Sequence, residues 1–176
     1  IRQADGIILP GVGAFGSAMD ELKKRRLNQV LYEEAKAGKP LLGICLGMQL
    51  LFDESDEFGV HEGLHLIPGR VEAFPKDIDL LVPQMGWNQN VVNNEQSIFA
   101  DVLDGSYTYF VHSYYLQAQD PAIVTATTEY ATLIHASVEQ DNVFACQFHP
   151  EKSSRWGLKI LENFAALEAG TGKEEA

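Results

Sequence analysis

The sequence predicts an α/β fold: a mostly parallel central sheet flanked by helices, with a β-rich insertion. Three observations carry this expectation. Residues 6–9 and 41–44 are short, continuously apolar runs of the kind buried on both faces of a parallel sheet. Segments of helical spacing follow each of them, so that strand and helix alternate. The middle of the chain, residues 59–93, is instead rich in β-branched residues and punctuated by Pro68-Gly69, Pro75, Pro83 and Gly86.

Taken in order, the first strand runs into Pro10-Gly11, a turn signal at a strand tip. From Ser17 the spacing becomes helical, with Met19, Leu22, Leu27, Val30, Leu31 and Ala35 apolar among charges, a break near Arg26, and Gly38 then Pro40 as stop signals. The second strand is followed, after one tight turn at Cys45, by helical character over 48–52. Beyond the insertion, strands are expected over 107–115, 122–127, 132–138 and 143–148, and a final helix over 156–167, where Leu158, Leu161, Phe164 and Leu167 recur. Residues 1–169 are read as a single domain and 170–176 as a frayed tail.

Composition narrows the function classes. At 176 residues and 45% apolar content the chain closes one substantial core. A formal charge of −12 and a pI near 4.7 repel phosphate backbones and anionic lipid, which disfavours nucleic acid and membrane surfaces as partners and leaves small molecules and other proteins. The longest apolar run, 41–52, is interrupted by two glycines and a glutamine and falls short of the roughly 20 residues a spanning helix needs. No leader with a charged start and apolar middle is seen, and two cysteines are too few for a disulfide scaffold, so a reducing cytoplasm is the expected location.

The chemistry concentrates in three segments. Gly43-Ile44-Cys45-Leu46-Gly47 sets a cysteine between glycines where a strand meets a helix, the arrangement known as a nucleophile elbow when serine is central. A sharp turn lifts such a side chain out of the sheet, and the helix start supplies free amides expected to favour the thiolate. The simpler alternative is a small apolar residue in a core. His149-Pro150-Glu151 follows an apolar strand, so imidazole and carboxylate leave the sheet at the end where parallel α/β folds place their sites. Cys45, His149 and Glu151 can form a triad in which the imidazole manages protons and the carboxylate fixes its tautomer. Pro10-Gly11-Val12-Gly13 is either a plain turn or a loop whose backbone amide, at Gly11 or Gly13, points at a developing oxyanion.

Other candidates are weaker. His112 and His135 lie inside expected strands with no carboxylate two residues away, and Cys146, mid-strand, reads as core. His61-Glu62-Gly63-Leu64-His65 matches the zinc-protease pattern H-E-x-x-H, but that pattern works only on a helix, and the surrounding glycines and Pro68 argue against one. Neither a metal nor a cofactor is expected.

Taken together, Pro10 to Phe15, Leu42 to Gln49 and His149 to Glu151 resemble the class I, or triad, glutamine amidotransferases, in order and spacing. Residues 63–69 (GLHLIPG), 83–88 (PQMGWN), 112–115 (HSYY) and 152–154 (KSS) are similar to the glutaminase subunits of imidazole glycerol phosphate synthases within that family. The resemblance covers essentially the whole chain, except that the family begins with a further strand and helix, which makes a truncated sequence the expectation.

What the resemblance implies is glutamine hydrolysis through a thioester on Cys45, with His149 moving protons, Glu151 holding the ring, and amides near Gly13 and Leu46 steadying the oxyanion. Gln49 and Glu57 match positions that hold the amino acid portion of the substrate, and His112, Ser113 and Tyr114 match its other wall. Tyr109 and Lys152 match positions at a subunit interface that gates ammonia. The implied partner is a barrel-shaped cyclase/synthase subunit forming a heterodimer in histidine biosynthesis, where the ammonia meets a phosphorylated ribonucleotide. Two alternatives stay open beside it: a stand-alone γ-glutamyl cysteine hydrolase that needs no partner, and a non-catalytic binding subunit.

Overall fold

The structure, a computed structural model, describes residues 1–170. Its first half follows the expected alternation: β1 (Ile7–Gly11), α1 (Phe15–Lys24), α2 (Leu27–Lys36), β2 (Leu41–Cys45) and the five-residue α3 (Leu46–Leu50). The break between α1 and α2 falls at Arg26, whose φ of 58° is left-handed and incompatible with a continuing helix. Then come β3 (Glu54–Ser55), β4 (His61–Glu62), β5 (Gly69–Ala73), β6 (Gln84–Gln89) and β7 (Val91–Val92), so the insertion is indeed built of short strands and turns. The last part holds β8 (Tyr107–His112), β9 (Tyr114–Ala118), β10 (Val124–Tyr130), β11 (Thr132–Gln140), β12 (Val143–Cys146) and α4 (Ser154–Gly170). Of the tail expected to fray, Gly170 closes α4 and the rest lies outside the described residues.

The six-stranded sheet has the order β1-β2-β12-β11-β10-β7. Only β1–β2 and β2–β12 pair in parallel; the other three pairings are antiparallel, so the sheet is mixed, not mostly parallel. The reason is local. Ala131 alone separates β10 from β11, and Asp141 and Asn142 alone separate β11 from β12, and connections that short can only reverse the chain. Ala131 and Asp141 both take positive φ, 61° and 54°, to make those reversals.

The strand expected over 107–115 is two strands, broken at Ser113, and the halves join different sheets. β8 pairs antiparallel with β6, while β9 pairs with β5 in a four-stranded sheet of order β4-β3-β5-β9.

Both faces of the six-stranded sheet are covered, which explains the continuous apolar runs. Leu41, Val143 and Ala145 pack with Met19, Leu31, Met48 and Leu51 on the α1–α3 side. The alternate residues Leu42, Ile44, Phe144 and Cys146 pack with Ile160 and Phe164 of α4 on the other. Cys146, expected as core, is the last residue of β12 and is fully buried there.

Registers bring the three parallel strands to one rim. Gly11 pairs with Cys45, and Ile44 with Cys146, so the loop after β1, the β2–α3 junction and the chain beyond β12 emerge side by side. Pro10, which lacks an N–H, is accommodated because β1 is the outermost strand of this sheet.

Candidate active site

Cys45 sits at the β2–α3 junction with φ 55° and ψ −114°, a conformation rare for a residue with a Cβ. The tight elbow depends on Gly47, where an added Cβ would occupy the position of the Leu9 carbonyl on β1. Gly11, expected on the oxyanion loop, stands behind the elbow instead: a Cβ there would lie 3.1 Å from Leu46 Cβ and 3.2 Å from the Gly47 nitrogen. Gly13, at φ 97°, has open space around it and lines the cleft in front.

That cleft has a volume of about 270 Å³. Cys45, Leu46, Gln49, Glu57, His112, Ser113, Tyr114 and His149 all face it, together with Val12, Pro83 and Val111. Residues far apart in sequence thus converge on one hollow at the carboxyl rim of the parallel strands.

His149 is buried, and its Nδ1 lies 2.7 Å from Oε1 of Glu151, which is half-exposed behind the ring. An ionised carboxylate only accepts, so Nδ1 carries the proton and Nε2 presents its lone pair. That Nε2 is buried without a hydrogen-bond partner. The backbone holds the ring in place: the His149 N–H donates to Tyr109 O at 2.9 Å, and the Ser153 hydroxyl donates to His149 O at 2.6 Å.

The cysteine corrects one expectation. Burial pushes the Cys45 thiol up to about 11, against the opposing pull of the Leu46 amide, and the charge of Glu151 adds to the rise. A helix start of five residues does not outweigh desolvation, so the resting sulfur is a neutral thiol that needs a base. Its Sγ lies 3.8 Å from the Val111 carbonyl and 3.8 Å from Gln147 Nε2.

Around the cleft the other residues take distinct positions. Glu57 Oε2 accepts the Phe15 N–H at 2.6 Å, tying the carboxylate to the start of α1. The Tyr114 phenol is pushed up by burial first, then by Glu57 and Asp56, which make this end of the cleft negative. His112 donates from Nδ1 to Tyr114 O at 2.8 Å, and burial lowers it to about 4, so it is neutral and no general base. Gln49 Nε2 donates to Tyr114 O and to Gln147 Oε1. Tyr109 and Lys152 lie off the cleft, with the Lys152 ammonium 6.0 Å from the Tyr109 ring centre and Trp87 packed edge-on against the same ring.

Sequence reading missed Gln147, although it precedes His149 by two and so shares its side of an extended chain. The H-E-x-x-H segment forms β4 and a loop, not a helix, and His65 bonds Asp53 at 2.9 Å. Among the described residues no group of three or more His, Cys, Asp or Glu could hold a metal ion.

The family profile "Glutamine amidotransferase class-I" matches residues 2–167. This chain belongs to the class I glutamine amidotransferases. Its relatives include the imidazole glycerol phosphate synthase subunit HisH of Lactiplantibacillus plantarum, 55% identical over 167 residues, which are 95% of this chain and 79% of the relative. The subunit of the same name from Syntrophotalea carbinolica is 49% identical over 172 residues, covering 95% of this chain and 84% of the relative.

Solved structures agree on the fold. The PurLQS structure from Thermotoga maritima aligns with a TM-score of 0.67 at 19% identity, over 95% of this chain and 81% of that one. A glutamine amidotransferase from Thermotoga maritima aligns at 0.64 and 16%, over 99% and 68%. Among the described residues no helix is long and apolar enough to cross a membrane.

Proposed function

We propose that residues 1–169 work as one amidotransferase domain, the glutaminase subunit of an imidazole glycerol phosphate synthase, acting in the cytoplasm. The observation that carries this reading is the shared cleft: a strained cysteine and a buried imidazole with an unpartnered Nε2 and a carboxylate behind it.

Chemistry follows from that arrangement. The Cys45 thiol gives its proton to His149 Nε2 as sulfur attacks the side-chain amide carbon of glutamine. Charge developing on the amide oxygen is met by the Leu46 N–H and the loop at Gly13. The imidazolium, steadied by Glu151, then protonates the departing nitrogen, and ammonia leaves a γ-glutamyl thioester. Water, deprotonated by His149, releases glutamate and restores the thiol. Glu57, in the negative end of the cleft, suits the substrate's ammonium, while Gln49, His112, Ser113 and Tyr114 form the wall beside it.

The relatives carry the name of a synthase subunit. On this chain the exposed ridge of Met85 and Trp87, next to Tyr109 and Lys152, supplies an aromatic surface for a cyclase barrel that receives the ammonia. Glutamine turnover measured with and without that barrel and its nucleotide ligand tests the reading. Stimulation by the liganded partner is expected; full activity without any partner, or activity surviving Cys45→Ala, overturns it.

A further inference from the structure

Gln147 is fully buried just past the end of β12, where its backbone N–H donates to Ala136 O at 2.8 Å. Its side chain is the middle link of a row. Gln49 Nε2 donates to the Tyr114 carbonyl at 3.1 Å and to Gln147 Oε1 at 3.0 Å, and Gln147 Nε2 donates to Cys45 Sγ at 3.8 Å.

The row has a fixed direction. A carboxamide is nearly symmetric in shape and can turn either end toward a neighbour, but a backbone carbonyl only accepts. Tyr114 O therefore obliges Gln49 to present its NH2 group. The same NH2 group reaches Gln147, which must answer with its oxygen, and the Gln147 NH2 is left facing the sulfur. One acceptor at the cleft wall thus sets the polarity of a group touching the cysteine.

This polarity matters most when the proton leaves. In the thiol, S–H can donate to the Val111 carbonyl, 3.8 Å away. In the thiolate that carbonyl becomes an unfavourable neighbour, while the Gln147 N–H becomes a charge-assisted donor. We propose that Gln147 is a positioning residue for Cys45, donating to its sulfur to favour the thiolate, with the direction of that bond imposed from Tyr114 through Gln49. Gln49 therefore joins the cleft wall to the nucleophile. The proposal rests on the reading of Cys45 as the reacting group.

A buried glutamine that merely fills space would leave the acidity of Cys45 unchanged, so the test reads that acidity. The rate of Cys45 alkylation by iodoacetamide is followed against pH in the full-length protein without glutamine, with the adduct located by peptide mass spectrometry. At a pH below the thiol midpoint, Gln147→Met is expected to slow alkylation about tenfold, equivalent to raising the midpoint by about one unit. Gln49→Met, which removes no contact to sulfur, is expected to slow it several-fold.

Wild-type rates in Gln147→Met overturn the donor role, and wild-type rates in Gln49→Met overturn the imposed direction. Should Gln147→Met fail to fold, Gln49→Met decides alone, and an unchanged profile overturns the proposal. Because iodoacetamide does not resemble glutamine, these outcomes are independent of whether the protein is a glutaminase, which glutamine turnover by Cys45→Ala tests separately.

Discussion

The candidate active site is not the roomiest hollow described on this chain. The hollow bordered by Met19, Tyr32, Glu62 and His65 measures about 580 Å³, against about 270 Å³ for the cleft at Cys45. The larger one is lined by Glu62 to His65 of the zinc-like segment, yet His65 is paired with Asp53, and among the described residues none of the buried polar atoms without a partner belongs to its lining. The smaller one holds a cysteine in a strained backbone conformation and two buried imidazoles, each with Nε2 unpartnered. Two unpartnered imidazole nitrogens facing one cleft beside a strained cysteine mark a reacting centre better than volume does.

That contrast is open to attack at several strengths. The strongest is Cys45→Ala, expected to lower glutamine turnover by at least about three orders of magnitude in a coupled glutamate assay. Next is the titration of His112. Burial lowers its folded value to about 4 from 6.5, so below 6.5 the unfolded chain binds a proton that the folded chain refuses. Stability should therefore fall as pH drops from 6.5 toward 4, by on the order of 3 kcal/mol. His112→Phe should flatten this acid limb when denaturant midpoints are compared across the same range.

Glu151→Gln is expected to lower kcat by about 10- to 100-fold with little change in KM, since it removes the charge that steadies the imidazolium and not a contact to substrate. The smallest effect belongs to the decoy region. His61→Ala and His65→Ala should leave turnover unchanged, before and after a chelator, and should move stability by less than about 0.5 kcal/mol. A chelator-sensitive activity would erase the distinction between the two regions.

What the sequence made legible was local. The elbow at Cys45 is visible because glycine, cysteine and glycine must be neighbours for the backbone to make that turn, and Gly47 shows the constraint in space. His149 and Glu151 are two residues apart, so their pairing needs no knowledge of the fold. The sheet's mixed direction was half-legible. It was set by reversals at Ala131 and Asp141, residues that carry no glycine or proline signal, while the parallel expectation drew on the apolar strands of the first 52 residues.

Less legible was whatever arises from side chains meeting across the chain. Gln49 and Gln147 are 98 positions apart, and neither residue type announces a link to sulfur. The acidity of Cys45 is likewise hidden, because a helix start can be read from sequence whereas the degree of burial cannot. Ser113 parts β8 from β9 where the pattern shows one unbroken run, a division decided by which sheet each half joins.

If the sulfur of Cys45 and the imidazole of His149 act together on glutamine, a glutamine-analogue electrophile incubated with the full-length protein reports it once the adduct is located by mass spectrometry. A single adduct on Cys45, absent from Cys146 and lost in His149→Ala, is the expected result. Labelling of Cys146, or labelling of Cys45 that is indifferent to His149, would contradict it.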